Sequence, residues 1–493
     1  MTHLVGDSRT STAGIPSGSL TALPARTVVR MLGRGEVSPL ELIDAAMDRT
    51  ARVDPVVNAV PTLCPERARA AARRLTDDVG GLGGLEPTAP GWLAGLPVLI
   101  KDMTDVEGVR TTYGSPIFRD HVPARSGLVV ETLERRGAVV LGKTNTPEWA
   151  AGGNTFNAVF GATRNPWDTR LSCGGSSGGS AVALATGMTW LATGSDMGGS
   201  LRLPAAFCGV VGLRPSPGRV ARAPTADPWS PLSVDGPMAR DVADVALLLD
   251  AMTGAHPADP LSVDAPAHPF LAAAERPKVP VRVGWSPNLG LWPVDPEVAA
   301  LCAAAVRRFE DAGTLVDDAC PDFMGARAVF QTLRADAFVT AMGPMLDTHR
   351  DQLKPEVVWN IEHGLAQTQA DLSEAARGRA ALMARVAAFF ETHDLLACPT
   401  VMVPPFPVEH RFVDRVADTR LETYVDWLGL TSTLTLTACP VISLPCGTTA
   451  AGLPVGLQLM APPRAEAALL SHAALLEGLL GRSATPVDPR APG

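Results

Sequence analysis

The sequence predicts an α/β fold built around a largely parallel or mixed sheet. From about residue 93, short apolar runs typical of buried strands alternate with longer runs of helical periodicity. Hydrophobic residues make up 46% of the 493 residues and charged residues 19%, so the chain can bury a large core. No internal repeat and no long linker divides the sequence, which favours one domain over several.

The N-terminal part predicts helices. Ser38, Pro39 and Glu41 combine an N-cap serine, a proline at the first helical position and a glutamate that completes a capping box. Apolar residues recur at helical spacing through "LELIDAAMDRTARV", and "PERARAAARRLTDD" continues in the same style. The following "EPTAPG" predicts a turn-rich loop.

The alternating part predicts the strands and helices of the sheet. Strands are expected at "GLPVLIKD", "AVVLGKT" and "TWLATGSD", with helices at "SGLVVETLERRG" and "SSGGSAVALATG" between them. Residues 257–380 are richer first in proline and then in helical runs. Strand-like runs return at "DLLACPT", "CPVISLPCG" and "LPVGLQLMAP", and the helix "RAEAALLSHAALLEGLLG" precedes a tail that we expect to be loose.

Composition excludes several classes of function. The net charge of −9 offers no basic surface of the kind that a nucleic acid or an anionic membrane requires. The first residues lack the pattern of a signal peptide, and no apolar run is long enough for a transmembrane helix. The eight cysteines form no CxxC motif, and the nine histidines show no metal-ligand spacing. We therefore expect a soluble, cytoplasmic protein without a metal site.

Lys101 is the first candidate for chemistry. It ends the apolar run "LAGLPVLIK" and is one of only four lysines in a chain that otherwise uses arginine. A lysine can lose its proton when it is desolvated, whereas an arginine cannot, so a buried lysine can act as a general base. The structural alternative is a lysine that simply emerges at the end of a strand.

Two glycine-rich stretches carry the candidate serines. "CGGSSGGSAVALATG" contains Ser176 and Ser177, and "TGSDMGGSLRLPAAFCG" contains Ser200, 24 residues after Ser176. One predicted helix and one predicted strand join the two turns, so both can return to the same end of the sheet. Neither a P-loop nor a convincing dinucleotide motif is present, whereas tight packing remains an alternative for either stretch alone.

This arrangement suits acyl transfer. A nucleophilic serine needs a base, and the oxyanion needs N–H donors, which the turn Met197, Gly198, Gly199 and Ser200 can direct at one point. No histidine lies near these residues in the sequence, so a serine–lysine arrangement is the leading hypothesis. A histidine brought close by folding is the alternative.

The chain resembles the amidase signature family of serine hydrolases. The resemblance rests above all on "GGSSGGSAVALATGMTWLATGSDMGGSLRLPAAFCGVVGLRPSPGRV". The runs "LAGLPVLIKD", "VLGKTNTPEWA", "FGATRNPWD" and "ACPVISLPCG" support it. The resemblance covers about residues 20–260 and resumes at about 395–480.

The family fold implied is a single α/β/α domain, with a large, mixed, twisted sheet sandwiched by helices. We expect this domain at 21–483, with its signature core at about 93–255 and a variable substrate-pocket segment at about 257–390. Tails are expected at 1–20 and 484–493. The resemblance implies no cofactor and no metal, and homodimers are frequent in the family.

The resemblance also implies a Ser–cis-Ser–Lys triad. Ser200 becomes the nucleophile, and Ser176, which follows a glycine in an unusual cis peptide, becomes the bridging serine. Lys101 becomes the terminal base, and the backbone N–H groups of 197–200 hold the oxyanion.

Three further residues are expected to support this triad. Asp196 and Arg202 flank the nucleophile turn, and we expect them to pair and brace it rather than to take part in chemistry. Ser177 is expected to support the bridging serine from the next position in the chain.

The substrate expected from the resemblance is a small to medium, uncharged aryl or alkyl amide, with side activity on esters. Trp149, Gly152 and Gly153 follow the "KTNTPE" segment and are candidates for the substrate pocket, although packing explains them equally well. Hydrolysis of carbamates by the same triad is the main alternative. The glutamine-using A-type component of an amidotransferase ranks lower, because Leu203 replaces the usual glutamine and the chain has only two tyrosines. A non-catalytic scaffold with this fold is the last alternative.

Overall fold

The computed structural model describes residues 20–77, 89–482 and 484–490. Its helices are α1 (Ala25–Gly33), α2 (Pro39–Val57), α3 (Pro65–Asp77), α4 (Leu128–Arg135), α5 (Gly178–Ala185), α6 (Arg202–Cys208), α7 (Val242–Met252), α8 (Phe270–Ala274), α9 (Pro296–Arg307), α10 (Ala326–His349), α11 (Pro355–Leu365), α12 (Gln369–Phe389), α13 (Gly429–Thr435) and α14 (Glu466–Leu480). The expected N-terminal tail, except residue 20, and the first half of the "EPTAPG" loop (86–88) lie outside the described residues.

The strands of the main sheet are β1 (Thr62–Leu63), β2 (Pro97–Lys101), β3 (Val139–Thr144), β6 (Leu191–Asp196), β7 (Val211–Arg214), β8 (Val234–Ala239), β9 (Arg282–Trp285), β10 (Leu315–Asp318), β11 (Leu395–Pro399), β14 (Val441–Thr448) and β15 (Pro454–Met460). Two small hairpins, β4 (Phe156–Asn157) with β5 (Gly161–Ala162) and β12 (Arg415–Val416) with β13 (Thr419–Arg420), stand apart from it.

The main sheet has eleven strands in the order β1-β3-β2-β6-β8-β7-β14-β15-β11-β9-β10. Strands β3, β2 and β6 run parallel, as do β11, β9 and β10, and antiparallel pairs connect these two groups. Strands β2, β3 and β11 are buried throughout, which explains why their sequences are almost continuously apolar. The prediction of one α/β/α domain with a mixed sheet is confirmed.

Most local predictions are also confirmed. Ser38 caps α2 with the reciprocal bonds to Glu41 that define a capping box. The six strands predicted from apolar runs are β2, β3, β6, β11, β14 and β15. Five strands of the main sheet were missed, β1, β7, β8, β9 and β10, and the last two lie inside the segment 257–390 that was expected to form the substrate pocket. Both are four residues long, too short for their alternation to stand out in this proline-rich part of the sequence.

The C-terminal tail is not loose where the structure describes it. The Val487 N–H donates to the Ala185 carbonyl at 2.8 Å, and the Arg490 N–H donates to the Pro166 carbonyl at 3.0 Å. Arg49 also pairs with Asp488 at 2.6 Å. The prediction of a loose tail is therefore wrong for 484–490, because backbone groups of the domain accept and donate bonds along it.

The topology places the ends of strands β2 and β6 together. Because β2 and β6 are parallel neighbours, Lys101 at the end of β2 and Asp196 at the end of β6 lie on the same edge of the sheet. Helix α5 leads from the first glycine-rich turn into β6, and the second turn follows β6 directly. None of the helices in the described ranges is long and apolar enough to cross a membrane.

Candidate active site

The side chain of Lys101 is held by two hydroxyl groups. It is 1% exposed, and its Nζ donates to Ser176 Oγ at 2.6 Å and to Ser195 Oγ at 3.0 Å. Ser195 belongs to β6, the parallel neighbour of the strand that Lys101 ends. Both partners are neutral, so the ammonium form of Lys101 gains no direct ion pair in this pocket.

Burial lowers the pKa of Lys101 from its ordinary value to about 7. Loss of hydration is the largest cause, because it penalises the charged form. The carboxylates of Asp235 and Asp196 oppose this shift, and the guanidinium of Arg222 adds to it. Near neutral pH a substantial fraction of Lys101 is therefore an uncharged amine that can accept a proton.

The first glycine-rich turn presents Ser176 to this amine. The peptide bond between Gly175 and Ser176 is cis, as the family resemblance implied. The next residue connects the two turns, since the Ser177 N–H donates to the Ser200 carbonyl at 3.2 Å. Ser177 Oγ also donates to the Ser195 carbonyl at 3.4 Å. Ser177 thus supports the site through backbone contacts, as expected.

The second turn requires glycine at Gly199. Its φ of +122° lies in a region that side chains disfavour, and a Cβ there would overlap the side chain of Thr431. Thr431 Oγ1 in turn donates to the Gly198 carbonyl at 2.6 Å. This contact from α13 fixes the backbone immediately before Ser200.

Asp196 and Arg202 pair beneath the turn, as expected from their positions on either side of it. Arg202 Nε and Nη2 each donate to the Asp196 carboxylate at 3.0 Å, and both residues are fully buried. Burial alone raises the pKa of Asp196, but Arg202 and Arg214 outweigh it and hold that pKa at about 2. Arg214, which sequence reasoning missed, also donates to the Asp196 backbone carbonyl.

One of the four expected oxyanion donors is already engaged. The Gly199 N–H donates to Asp196 Oδ1 at 2.9 Å, and the Leu201 N–H donates to Asp196 Oδ2 at 3.2 Å. Because the carboxylate lies directly under the turn, it draws the Gly199 N–H inward. The expectation that Gly199 points its N–H at the oxyanion is therefore corrected, and Met197, Gly198 and Ser200 remain as candidate donors.

Ser176 and Ser200 open into one cavity of about 700 Å³. Ser195 and Met197 also line it. The described residues form no hydrogen bond between Ser176 Oγ and Ser200 Oγ, although such contacts often tighten only with substrate bound. The cavity is large enough for a small or medium organic molecule.

Three aromatic side chains form one wall of this cavity. The rings of Tyr113 and Trp149 stack with centroids 5.0 Å apart and an interplanar angle of 11°. Phe118 meets the Trp149 ring edge-on at 5.4 Å. We call Tyr113, Phe118 and Trp149 the aromatic wall.

Of the three residues predicted for the substrate pocket, Trp149 lines the cavity, whereas Gly152 and Gly153 do not. Past Trp149 the chain turns away because Lys354 Nζ donates to the Ala151 carbonyl at 2.8 Å. Gly153 packs so closely against the Trp427 ring that a Cβ would overlap it.

The mouth of the cavity comes from two segments. Helix α10, which lies in the segment 257–390, contributes lining residues between 333 and 342. The loop at 222–235 supplies the other side, and sequence reasoning missed it because this loop lies in the expected signature core. Sequence reasoning also missed Ser195. Its position near the end of the strand next to β2 could have predicted a hydroxyl close to Lys101.

Comparison with known proteins supports the same family over nearly the whole chain. The profile of the Amidase family matches residues 41–470. An acylamidase of Rhodococcus erythropolis is 34% identical, covering 93% of this chain and 95% of its own. The A-type component of the glutamyl-tRNA(Gln) amidotransferase of Moorella thermoacetica is 36% identical, covering 92% of this chain and 96% of its own.

Solved structures share the architecture. A bacterial aryl acylamidase of the amidase signature family has a TM-score of 0.85 and 26% identity, covering 93% of this chain and 96% of its own. A 6-aminohexanoate cyclic dimer hydrolase complexed with substrate has a TM-score of 0.84 and 28% identity, covering 95% and 99%. Together with the family profile, these similarities support an amidohydrolase. The chain belongs to the amidase signature family.

Proposed function

We propose that the protein hydrolyses the C–N bond of small to medium aryl or alkyl amides through an acyl-enzyme on Ser200. The observation that carries the proposal is the contact of a fully buried lysine amine with Ser176 Oγ at 2.6 Å, in a cavity that Ser200 shares. A lysine with a pKa near 7 supplies the base that a serine nucleophile needs.

The mechanism moves one proton along the triad. Uncharged Lys101 accepts the hydroxyl proton of Ser176, and Ser176 accepts that of Ser200, whose Oγ forms a bond to the carbonyl carbon. The N–H groups of Met197, Gly198 and Ser200 stabilise the negative oxygen of the tetrahedral intermediate. The proton returns along the same path to the leaving nitrogen, the C–N bond breaks, and the amine departs.

Water completes the turnover of the acyl-enzyme. The triad removes a proton from water as it did from Ser200, and the resulting hydroxide attacks the ester carbonyl. The bond to Ser200 Oγ breaks, the serine regains its proton, and the carboxylic acid leaves. Esters fit the same steps because an alkoxide leaves more readily than an amine, which accounts for the expected side activity.

The aromatic wall favours substrates with a flat or apolar group. Stacked Tyr113 and Trp149 offer an apolar surface beside the serines, and such surfaces bind aromatic groups through area burial and ring geometry. The acylamidase and aryl acylamidase among the relatives support amides of this kind. The proposal does not keep the expectation of an uncharged substrate, because cationic side chains also line the cavity.

Two alternatives use the same cavity. A carbamate would present the same carbonyl to Ser200 and the same oxygen to the N–H donors, which supports carbamate hydrolysis as an alternative. The amidotransferase relative at 36% identity favours glutamine as a substrate. The A-type component of the amidotransferase usually has a glutamine where this chain has Leu203. That difference argues against glutamine as the substrate, as does the chain's low tyrosine content.

A matched substrate panel tests the proposal. Wild type, Ser200→Ala and the control Ser373→Ala are each assayed with an anilide, a primary aliphatic amide, glutamine, an aryl ester and an aryl carbamate. We expect turnover of the anilide, lost in Ser200→Ala and kept in Ser373→Ala, whose serine lies on α12 outside the cavity. Turnover of glutamine alone would overturn the proposal in favour of amidotransfer.

Labelling with a fluorophosphonate probe separates catalysis from a scaffold role. The probe forms a bond with an activated serine, so wild type and Ser373→Ala should be labelled and Ser200→Ala should not. Correctly folded wild type that takes no label and turns over no substrate would support the scaffold alternative.

A further inference from the structure

Arg334 is a buried cation that faces the cavity. It lies on α10, is 4% exposed, and belongs to the cavity lining. Its guanidinium carries five N–H donors. Nε donates to Asn360 Oδ1 at 3.1 Å, and Nη2 donates to the Tyr424 hydroxyl at 3.1 Å. The third nitrogen of the guanidinium, Nη1, lies 3.5 Å from Met197 Sδ.

All of these partners are neutral. The Phe338 ring lies 4.6 Å below the guanidinium, and the thioether of Met197 is only a weak acceptor. In the part of the chain that the structure describes, no carboxylate lies within ion-pair distance of Arg334. Two of its five N–H groups therefore have no acceptor among the described residues.

The carboxylates in the neighbourhood are already engaged. Glu148 accepts from Ser115 Oγ at 2.5 Å and from the Lys354 N–H at 2.7 Å. Glu356 accepts two bonds from Arg411. These two acids contact Lys354 and Arg411 and form no ion pair with Arg334.

The acids that line the cavity do not neutralise it either. Asp105 accepts a bond of 2.6 Å from the Tyr113 hydroxyl, and Asp235 pairs with Arg222 at 3.2 Å. Asp336, on the same helix as Arg334, and Asp227, in the loop at 222–235, are both exposed. The inner part of the cavity therefore keeps the positive charge of Arg334.

Three other buried arginines among the described residues pair with a carboxylate, and the remaining one, Arg240, donates to the backbone carbonyls of Thr189 and Leu23. Arg202 and Arg214 share the carboxylate of Asp196, and Arg219 pairs with Glu466 at 3.2 Å. Burial of a charge without a partner is costly, so such a group persists where a ligand supplies the partner. Arginine suits this role because its planar group binds a carboxylate through two parallel bonds.

We propose that Arg334 binds a carboxylate carried by the substrate, so that the protein prefers amides of acidic molecules. This inference rests on the proposed function and narrows its substrate class. Met197 contacts Arg334 and also belongs to the turn that carries Ser200, so the carboxylate lies one side chain away from the nucleophile turn. The carboxylate belongs either to the acyl part or to the amine part of the substrate, and the test separates the two.

The test compares acidic and neutral anilides. N-phenylsuccinamic acid carries the carboxylate on its acyl part and is matched with butyranilide. 4-Acetamidobenzoate carries it on the amine part and is matched with 4-methylacetanilide. Each substrate is assayed with wild type, Arg334→Gln and the control Arg327→Gln, which removes a positive charge from the same helix where Asp426 already pairs it.

We expect Arg334→Gln to lower kcat/KM for one acidic anilide by about 10- to 100-fold, the loss of a charge-assisted pair. The loss should fall mainly on KM, and the matched neutral anilide should stay within about threefold. Arg327→Gln should leave the ratio of acidic to neutral kcat/KM unchanged. Equal losses on both members of each pair, or no loss on any, would overturn the inference.

A binding measurement keeps the inference separable from catalysis. By calorimetry, N-phenylsuccinamate or 4-acetamidobenzoate should bind Ser200→Ala at least about 10-fold more tightly than the double variant with Arg334→Gln. Equal or undetectable binding of both acids to the two variants would contradict it. Turnover of butyranilide without any acidic preference would leave the proposed function intact and remove only this inference.

Discussion

Two buried lysines on adjacent strands have different surroundings. Lys101 ends β2 and Lys143 lies on β3, and both side chains are almost fully buried. Lys143 Nζ lies 3.1 Å from Asp102 Oδ1 and also donates to Thr111 Oγ1 at 2.7 Å. Among the described residues, the partners of Lys101 Nζ are both hydroxyl groups. Both lysines lie near the same end of two adjacent parallel strands. They differ in whether a carboxylate contacts the amine.

This difference shows which surroundings allow a buried lysine to act as a base. Burial lowers the pKa of both amines, but at Lys143 the charge and hydrogen bond of Asp102 oppose the shift. The contact of Lys143 with Asp102 joins β3 to the loop after β2. Lys101, without such a pair, is poised to exchange a proton near pH 7.

Replacing Lys101 should have the largest effect and bears directly on the comparison. We expect Lys101→Met to lower kcat/KM for an anilide by about 10³- to 10⁴-fold, because the proton of Ser200 loses its acceptor. An aryl ester should suffer less, since its leaving group needs no proton. Thermal unfolding should show a Tm no lower than that of wild type, because the substitution removes a desolvated amine. Anilide hydrolysis within tenfold of wild type would contradict the assignment.

Replacing Lys143 should affect folding instead of chemistry. Lys143→Met leaves Asp102 buried without its partner, so the free energy of unfolding should fall by about 3–5 kcal/mol. Urea unfolding measures this loss, and Lys143→Met with Asp102→Asn should recover part of it. A loss below about 1 kcal/mol would show that this pair is not the structural element that the comparison requires.

The pH profile of kcat/KM tests whether Lys101 acts as a base. Protonated Lys101 cannot accept a proton, so kcat/KM should fall about tenfold for each pH unit below a midpoint near 7 and level off above it. The sign follows from the lowered pKa, since the active amine is the uncharged form. Steady-state kinetics between pH 5 and 9 measure the profile. A flat profile, or one that favours acid, would contradict a lysine base.

Removal of the Ser195 hydroxyl, the second partner of Lys101 Nζ, should have the smallest effect. Ser195 Oγ accepts one hydrogen of Lys101 Nζ and so directs the lone pair of the uncharged amine toward Ser176. We expect Ser195→Ala to lower kcat about 10-fold with KM unchanged and to shift the midpoint of the pH profile. Ser195→Thr, which keeps the hydroxyl, should restore most of the rate. Loss through KM alone would indicate a role in substrate binding instead.

The sequence predicted the parts of the site that depend on local order. Lys101 ends an apolar run, and Ser176 and Ser200 stand on glycine-rich turns joined by one helix and one strand. Strand polarity and short connections then bring all three to one sheet edge. The pairing of Asp196 with Arg202 was predictable for the same reason, since both flank a single turn.

Other features depended on contacts between distant segments. The inward bond of the Gly199 N–H depends on where the Asp196 carboxylate comes to lie, and the displacement of Gly153 depends on Trp427. Arg334 belongs to no motif, and only the packing of α10 across the cavity places its guanidinium in the cavity lining. Such features follow from tertiary packing, which the local pattern of the sequence does not encode.

Direct titration of Lys101 tests the central claim most closely. The chain has only four lysines, so lysine labelled with ¹³C at Cε gives few NMR signals, and the Lys101 signal is the one that disappears in Lys101→Met. We predict that this signal titrates with a midpoint near pH 7. A midpoint near the ordinary lysine value of 10.5 would mean that Lys101 remains an ammonium ion at neutral pH and does not act as the base.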